Sequence, residues 1–436
     1  MYFCHSLNLT YQVISKIKKS EFAKHVLTLV SGSSVAMLIP FAAEPVLSRM
    51  FTPAEFGIFE IYAALVVMIG SVATARYEMA IVLPGEEDKA VNLLGLSIAI
   101  VTGVSLLTYI IIFFQGEFLI NLSDHKDFTK YMYFVPIGIF LLGLNRSLLY
   151  WSLRQKYMKI IGLTKVFESS GKAGSSILFG IMKMSSLGLI LGQIAGQILS
   201  ALLFIARFLK SDLKHIKSIS KKHIKTQAVK YSEFPKINVL LTISEMMQIS
   251  GLIFVFSLFF DSATLGEVSK SIRILLIPLT VISTSVAQVF YQKASKEFAE
   301  GVDISINLNK IVRSMAIISF PGLILFLFIS PWLFTFVLGN QWVVAGEYAR
   351  ILAIWIFIKF ITGPATTVPL IINKQKEYFI LNLLGNFVLI LSVIIPGALK
   401  LSVTEILITF GIIQVIFLIF LYFKILSMYH KSFNEL

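Results

Sequence analysis

Residues 47–84 read LSRMFTPAEFGIFEIYAALVVMIGSVATARYEMAIVLP. A short polar turn, Thr52-Pro53-Ala54-Glu55, gives way at Phe56 to an apolar run interrupted only by Glu60 and ending near Arg76-Tyr77-Glu78. Residues 54–78 are therefore predicted to form a helix that crosses a bilayer, because crossing the hydrocarbon takes about 20 apolar residues. Runs of the same kind recur along the chain at 24–47, 90–114, 130–151, 161–182, 187–209, 237–260, 267–291, 313–338, 346–372, 377–399 and 403–425. Only helices and closed barrels satisfy their backbone groups in lipid, and these runs are too long and too continuous for barrel strands. The expected fold is an all-α polytopic membrane protein with twelve transmembrane helices.

Composition agrees. Of 436 residues, 56% are hydrophobic and 14% charged, against about 25% charged in an average soluble chain; mean hydropathy is +0.83. A soluble globular protein, a disordered chain and a disulfide scaffold are excluded. The single cysteine, Cys4, cannot form an intrachain disulfide. The six histidines show no zinc-ligand spacing and no Walker A sequence appears, so no metal, cofactor or ATP site is expected. No catalytic constellation stands out, and the chain does not read as an enzyme. Residues 1–23 lack the short apolar stretch and small-residue cleavage site of a removable signal peptide.

The net charge is +14. In a soluble protein this would point to nucleic acid; here basic residues gather in loops that resist translocation, and no nucleic-acid partner is expected. With twelve spans, the loops on the side of both termini carry twenty-two Lys and Arg, among them Lys16, Lys89, Arg154 and eight lysines within 210–236; the opposite loops carry Arg49, Lys126, Lys130, Lys183 and Lys400. That asymmetry predicts cytoplasmic termini. The implied organisation is a cytoplasmic segment 1–23, a six-helix lobe 24–209, a basic cytoplasmic linker 210–236 lying along anionic headgroups, a second six-helix lobe 237–425 and a tail 426–436.

The two halves repeat. Phe51-Thr52-Pro53-Ala54-Glu55-Phe56-Gly57 and Phe260-Asp261-Ser262-Ala263-Thr264-Leu265-Gly266 share F-x-x-A-x-(F/L)-G at an offset of 209, and Gln155-Lys156-Tyr157 is echoed by Gln375-Lys376-Glu377-Tyr378 at 220. Halves of six spans enter the membrane from the same side and form a parallel repeat enclosing a central cavity, the plan of an alternating-access transporter.

A charge deep in a span costs several kcal/mol, ~2.5–3.5 by insertion scales, so each one is a functional candidate. Lys165, Glu168 and Lys172 share one face of the fifth span. Arg146 lies in the fourth span, Arg273 in the eighth, and Lys359 near the middle of the tenth. Arg76 and Glu78 are placed to pair. Cations outnumber acids, which suits an anionic substrate. Glu44, Glu60, Glu168 and Glu245 are candidates for ion coupling, since a desolvated carboxylate can carry a proton. Gly188, Gly192 and Gly196 form GxxxGxxxG, which clears a helix face for close packing. Pro40, Pro278, Pro321 and Pro364 lie inside spans, and Pro364, following Gly363, is expected to break the tenth near Lys359.

The F-T-P-x-x-F-G turn and the helix ending in R-Y-E-x-A-I-V-L-P, within Leu47–Pro84, resemble the signature of Wzx-type polysaccharide repeat-unit flippases. Span count, basic middle loop and span-six glycines extend the likeness over the whole chain. The resemblance implies the fold of the multidrug/oligosaccharidyl-lipid/polysaccharide exporter superfamily, with two six-helix lobes around a cationic cavity. It implies transport of undecaprenyl-pyrophosphate-linked oligosaccharides, for O-antigen and lipopolysaccharide, capsule or another surface polysaccharide, to the outer leaflet of the bacterial inner membrane. Arg146, Lys165, Lys172, Arg273 and Lys359 are the candidate diphosphate or cavity residues. Membrane lipids are partners, and a polysaccharide polymerase is a further partner consistent with the role. Three alternatives remain: a peptidoglycan lipid-precursor flippase, which usually has two more helices; a cation-coupled multidrug antiporter, whose cavity would carry acids; and a glycan polymerase, which needs a larger outer loop than 115–129.

Overall fold

The computed structural model describes residues 21–121 and 126–434. Cys4, Lys16, Lys18 and Lys19 lie outside them. Among the described residues the chain is helical, without strands. In the first half run α1 (Glu21–Met50), α2 (Pro53–Gly70), α3 (Glu87–Asn121), α4 (Val135–Arg154), α5 (Met158–Ile181), α6 (Ser185–Ser211) and a short α7 (Lys221–Lys230). In the second come α8 (Val239–Met246), α9 (Leu252–Ser257), α10 (Ser262–Ala299), α11 (Ser305–Leu338), α12 (Val343–Thr362), α13 (Val368–Ile371), α14 (Gln375–Ala398) and α15 (Val403–Asn434). Ten helical segments among the described residues are long and apolar enough to cross a membrane. The expected count of twelve is thus met at ten positions on that criterion. α1 and α5 occupy the other two, and α5 is made less apolar by Lys159, Lys165, Glu168 and Lys172.

Several expected boundaries shift. The second span is not one helix over 54–78: α2 stops at Gly70, and a turn with Ala75 and Arg76 in the left-handed region (φ 50° and 61°) leads into a 3-10 helix, Tyr77–Val82. Helices α10 and α11 are longer than their apolar cores, because polar turns continue the same hydrogen-bond ladder into Lys293–Ala299 and Ser305–Val312. The tail 426–436 is largely the end of α15, and the basic linker contains α7. The seventh span is interrupted by π turns at Phe234–Asn238 and Met247–Gly251.

Local chemistry explains the helix starts. Thr52 and Glu55 form a reciprocal capping box at α2, with Thr52 N–H donating to Glu55 (2.7 Å) and Glu55 N–H to Thr52 Oγ1 (3.3 Å). Asp261, the repeat partner of Thr52, caps α10 by accepting from Thr264 N–H at 3.0 Å.

The repeat is also written in backbone geometry. α5 and α14 are each 24 residues long. Each is flanked, two residues before and two after, by a left-handed non-glycine residue: Lys156 and Lys183 around α5, Asn373 and Lys400 around α14. At each of these turns the following amide donates back five residues: Tyr157 to Ser152, Met184 to Phe179, Lys374 to Pro369 and Leu401 to Pro396. A left-handed non-glycine residue costs roughly 1–2 kcal/mol, offset here by closing the free carbonyls of the preceding helix. Both pairs are 217 apart. The Gln-Lys echo at 220 is therefore three residues out of register: Gln155 precedes its left-handed residue and Gln375 follows.

The chain divides into two compact units, one comprising the described residues up to Phe51 with Leu65–Ile120 and Asp127–Ile243, the other Thr52–Ala64 with the described residues from Ser244 on. The first is built around Tyr77, Ile81, Val91, Trp151 and Phe204. Its core is closed by polar staples. Arg154 donates to Glu87 (3.2 Å) and to carbonyls of the 81–85 loop. Buried Asp212 accepts from Trp151 Nε1 at 2.9 Å and from the Tyr157 hydroxyl at 3.1 Å. The linker is tied down by Asn92, which bonds Ser218 O and Ser220 N, and by the Tyr77 hydroxyl on Ala228 O. The second unit packs around Phe290, Leu308, Val368, Leu421 and Tyr429. Large apolar side chains also point outward: Ile318 and Phe328 on α11 are 79% and 80% exposed, as a lipid-facing surface requires. The protein is a multi-pass membrane protein.

Candidate functional site

In the first unit the charged face of α5 meets the glycine face of α6. A Cβ on Gly196 would lie 2.5 Å from Glu168 O and 3.0 Å from Lys172 Cβ; one on Gly192 would strike Ser176, and one on Gly188 would meet Phe179 and Phe51. The glycines thus clear the close approach that their spacing predicted. Glu168 sits beside Lys172, the Ser200 hydroxyl and Lys165, so α5 presents two cations around one acid. Arg146 is held by the broken end of α2: its guanidinium donates to Ser71 O and Ser71 Oγ, both at 3.1 Å. There it lies on the backbone just past the end of α2. Arg76 and Glu78 pair at 3.2 Å, as their spacing suggested, and Glu78, fully buried, also accepts from Thr74. Glu44 is half-buried beside Ser48.

The second unit contains a junction between the two repeat motifs. Helices α2 and α10 touch near their N-termini. A Cβ on Gly57 would fall 1.7 Å from Ser262 O, and one on Gly266 would fall 1.9 Å from Pro53 O. At the repeat offset of 209, Pro53 matches Ser262 and Gly57 matches Gly266. The contact is therefore reciprocal, each motif placing its glycine on the first turn of the other.

One turn further along, two charged contacts fasten the crossing. Glu60, buried on α2, pairs with Arg273 on α10. Lys270, 3% exposed, lies over the Phe56 ring at 3.3 Å and the Trp342 ring at 4.6 Å from their centroids. Phe56 and Trp342 meet edge to face at 5.3 Å. Such a cation–π cage is worth about 0.5–2 kcal/mol, most where water is excluded. Glu60 and Arg273 were expected as an ion-coupling acid and a diphosphate ligand; the structure brings them together. Lys270 and its two rings were not foreseen. The only sequence signal was that Lys270 falls one turn after the repeat glycine.

Lys359 lies in the last turn of α12, where the helix gives way at Thr362 to the 3-10 turn Gly363–Thr367, the break expected from Pro364. It faces a cavity of about 260 Å³ within the second unit, bordered also by Trp355, Ser283, Asn382, Asn386 and Gln414. Glu245, on α8, is exposed. Among the candidates, then, Arg146, Lys165, Lys172, Glu168 and Glu44 belong to the first unit, and Glu60, Glu245, Arg273 and Lys359 to the second.

Comparison with known proteins places this geometry. The family described as polysaccharide biosynthesis protein matches residues 46–347, more than half of the chain. A sequence comparison with curated proteins finds no match. Among solved structures, "Lipid II flippase MurJ, inward closed conformation" is similar with a TM-score of 0.71 at 16% identity, over 94% of this chain and 89% of that one. An "inward-facing conformation of a multidrug resistance MATE family transporter of the MOP superfamily" is similar with a TM-score of 0.62 at 14% identity, over 94% and 95%. At such identities the likeness is one of fold. The chain belongs to the polysaccharide biosynthesis protein family and carries the fold of the MOP-superfamily transporters.

Proposed function

We propose that this protein is a flippase that moves a polyprenyl-pyrophosphate-linked oligosaccharide from the inner to the outer leaflet of the bacterial inner membrane. The sugar unit belongs to a surface polysaccharide such as O-antigen or capsule. The observation that carries the reading is the local excess of cations in apolar helices, in a chain of this family. On α5 two lysines flank one glutamate, and Glu60 is matched by Arg273. A positive interior attracts a diphosphate and disfavours the cationic drugs that an antiporter carries.

In this reading residues 24–209 and 237–425 act as two lobes, with the basic linker 210–236 and both termini on the cytoplasmic side. The reciprocal Gly57–Gly266 contact, with Lys270 and its rings and the Glu60–Arg273 pair, holds the starts of α2 and α10 together within the second unit. Glu44, Glu60, Glu168 and Glu245 are the carboxylates for ion coupling. The mechanism is alternating access without a covalent step.

The test is the sidedness of lipid-linked oligosaccharide in a deletion strain. Accumulation in the cytoplasmic leaflet, reversed by the intact gene, is expected. Normal delivery to the outer leaflet in a strain without a second flippase of this family would overturn the proposal.

A further inference from the structure

The cavity at Lys359 has a chemistry that substrate translocation does not use. Its volume, about 260 Å³, is many times the ~10–15 Å³ a single water needs, so it is large enough for a hydrated ion. Lys359 is the one ionisable group of its lining apart from Tyr378, and the border holds no Asp or Glu. No carboxylate among the described residues pairs with Lys359; its ammonium lies 5.7 Å from the centroid of the Trp355 ring.

The carbonyls at the break in α12 are occupied. Ser283 Oγ donates to Phe360 O at 2.9 Å, Thr362 to Ile358 O at 2.8 Å and Thr366 to Gly363 O at 2.7 Å. These hydroxyls have spent their protons on the backbone. A second donor is left over: Gln414, 5% exposed, lines the same cavity, and its Nε2 has no hydrogen-bond partner. A buried donor without a partner costs about 1–3 kcal/mol, and more when charged. Two donors, one of them cationic, thus border a cavity whose lining holds no acid.

We infer that this cavity is a binding site for a small monovalent inorganic anion of the halide class, held by Lys359 and Gln414. The charge balance selects the valence. One ammonium neutralises one negative charge; a diphosphate would leave at least one uncompensated charge in a low-dielectric site, at a cost of several kcal/mol. The anion is a resident counter-ion of the second unit and is distinct from the diphosphate proposed for the transport path.

The test uses the purified full-length protein in detergent and measures binding, so it is independent of flipping. Chloride replaces gluconate at constant sodium concentration while radiolabelled chloride binding and the unfolding midpoint are followed. Saturable chloride binding is expected, weakened about tenfold or more in Lys359→Gln, weakened in Gln414→Leu, and largely retained in Lys359→Arg. Absence of chloride binding by the wild type, or binding unchanged in both Lys359→Gln and Gln414→Leu, overturns the inference. Lys359-dependent binding of inorganic diphosphate in place of chloride also overturns it and assigns Lys359 to the substrate headgroup.

Discussion

Gly57→Ala is a sharp test of the reciprocal glycine contact. An alanine methyl at this position would sit 1.7 Å from the carbonyl oxygen of Ser262, with the Ser262 carbonyl carbon and Cα at 2.6 and 3.0 Å. The obstacle is the capped first turn of α10, which cannot rotate away as a side chain can. The two helix starts must separate by more than about 1 Å to restore ordinary packing distances. Overpacking of this kind costs about 1–3 kcal/mol, with rigid backbone at the upper end. Alanine returns about 1 kcal/mol of helix propensity. The net cost is about 2 kcal/mol, roughly thirty-fold in the equilibrium for holding the two helix starts together. Separation also withdraws Phe56 from Lys270 and Glu60 from Arg273, because both lie on the same two helices. Hydrogen–deuterium exchange of the segments 53–64 and 262–273 reads the effect directly: exchange should rise by at least tenfold in both. Gly322→Ala, where an added Cβ meets nothing within 4 Å, is the control and should leave exchange unchanged. Wild-type exchange in Gly57→Ala would show that a methyl group fits where this geometry leaves no room.

Three further outcomes are expected. Gly196→Val places branches against Glu168 O and Lys172, separating α5 from α6, and should lower the unfolding midpoint and reduce transport, both read on the purified protein; an unchanged midpoint would contradict the close approach. Asp303 lies in the connection between α10 and α11. Burial alone would raise its pKa, but Ser305 N–H at 2.8 Å, the Ser305 hydroxyl and the Tyr429 hydroxyl donate to it and hold it below the usual carboxylate range. A lowered folded pKa stabilises above the unfolded value near ~3.9 and is lost as pH falls through the folded one, so the midpoint difference between wild type and Asp303→Asn should shrink on acidification below about pH 4. Arg146→Ala and Lys172→Ala, each expressed and inserted, should each reduce surface glycan; two variants with normal glycan would remove the cationic-interior argument.

Much of the architecture was legible because the bilayer imposes a simple code. Apolar run length located the helices, and GxxxGxxxG marked the close-packing face of α6, though not α5 as its partner. The F-x-x-A-x-(F/L)-G repeat located the two helix starts that touch. What stayed hidden depends on partners far away in sequence. The stop of α2 at Gly70 is invisible in hydropathy, since Ser71–Ala75 is still largely apolar; the hydrogen bonds from Arg146 seventy-five residues later fall just past that end. Glu60 and Arg273 read as separate functional charges because nothing in the sequence brings residues 213 positions apart together. Lys270 was missed for the same reason: its cage is assembled from Phe56 and Trp342. The second echo misled because matching residue names, Gln and Lys, fell on opposite sides of the left-handed turn that is the true repeat.

If the protein is the flippase proposed above, it moves an anionic lipid-linked oligosaccharide across a bilayer without another protein. The direct measurement reconstitutes the purified protein in liposomes holding a fluorescent polyprenyl-diphosphate oligosaccharide, prepared from the source strain's own repeat unit, and follows its exposure to a membrane-impermeant quencher. Protein-dependent crossing of the initially protected lipid is expected, slowed in Lys172→Ala. Folded, reconstituted protein that leaves the protected fraction unchanged would overturn the flippase function.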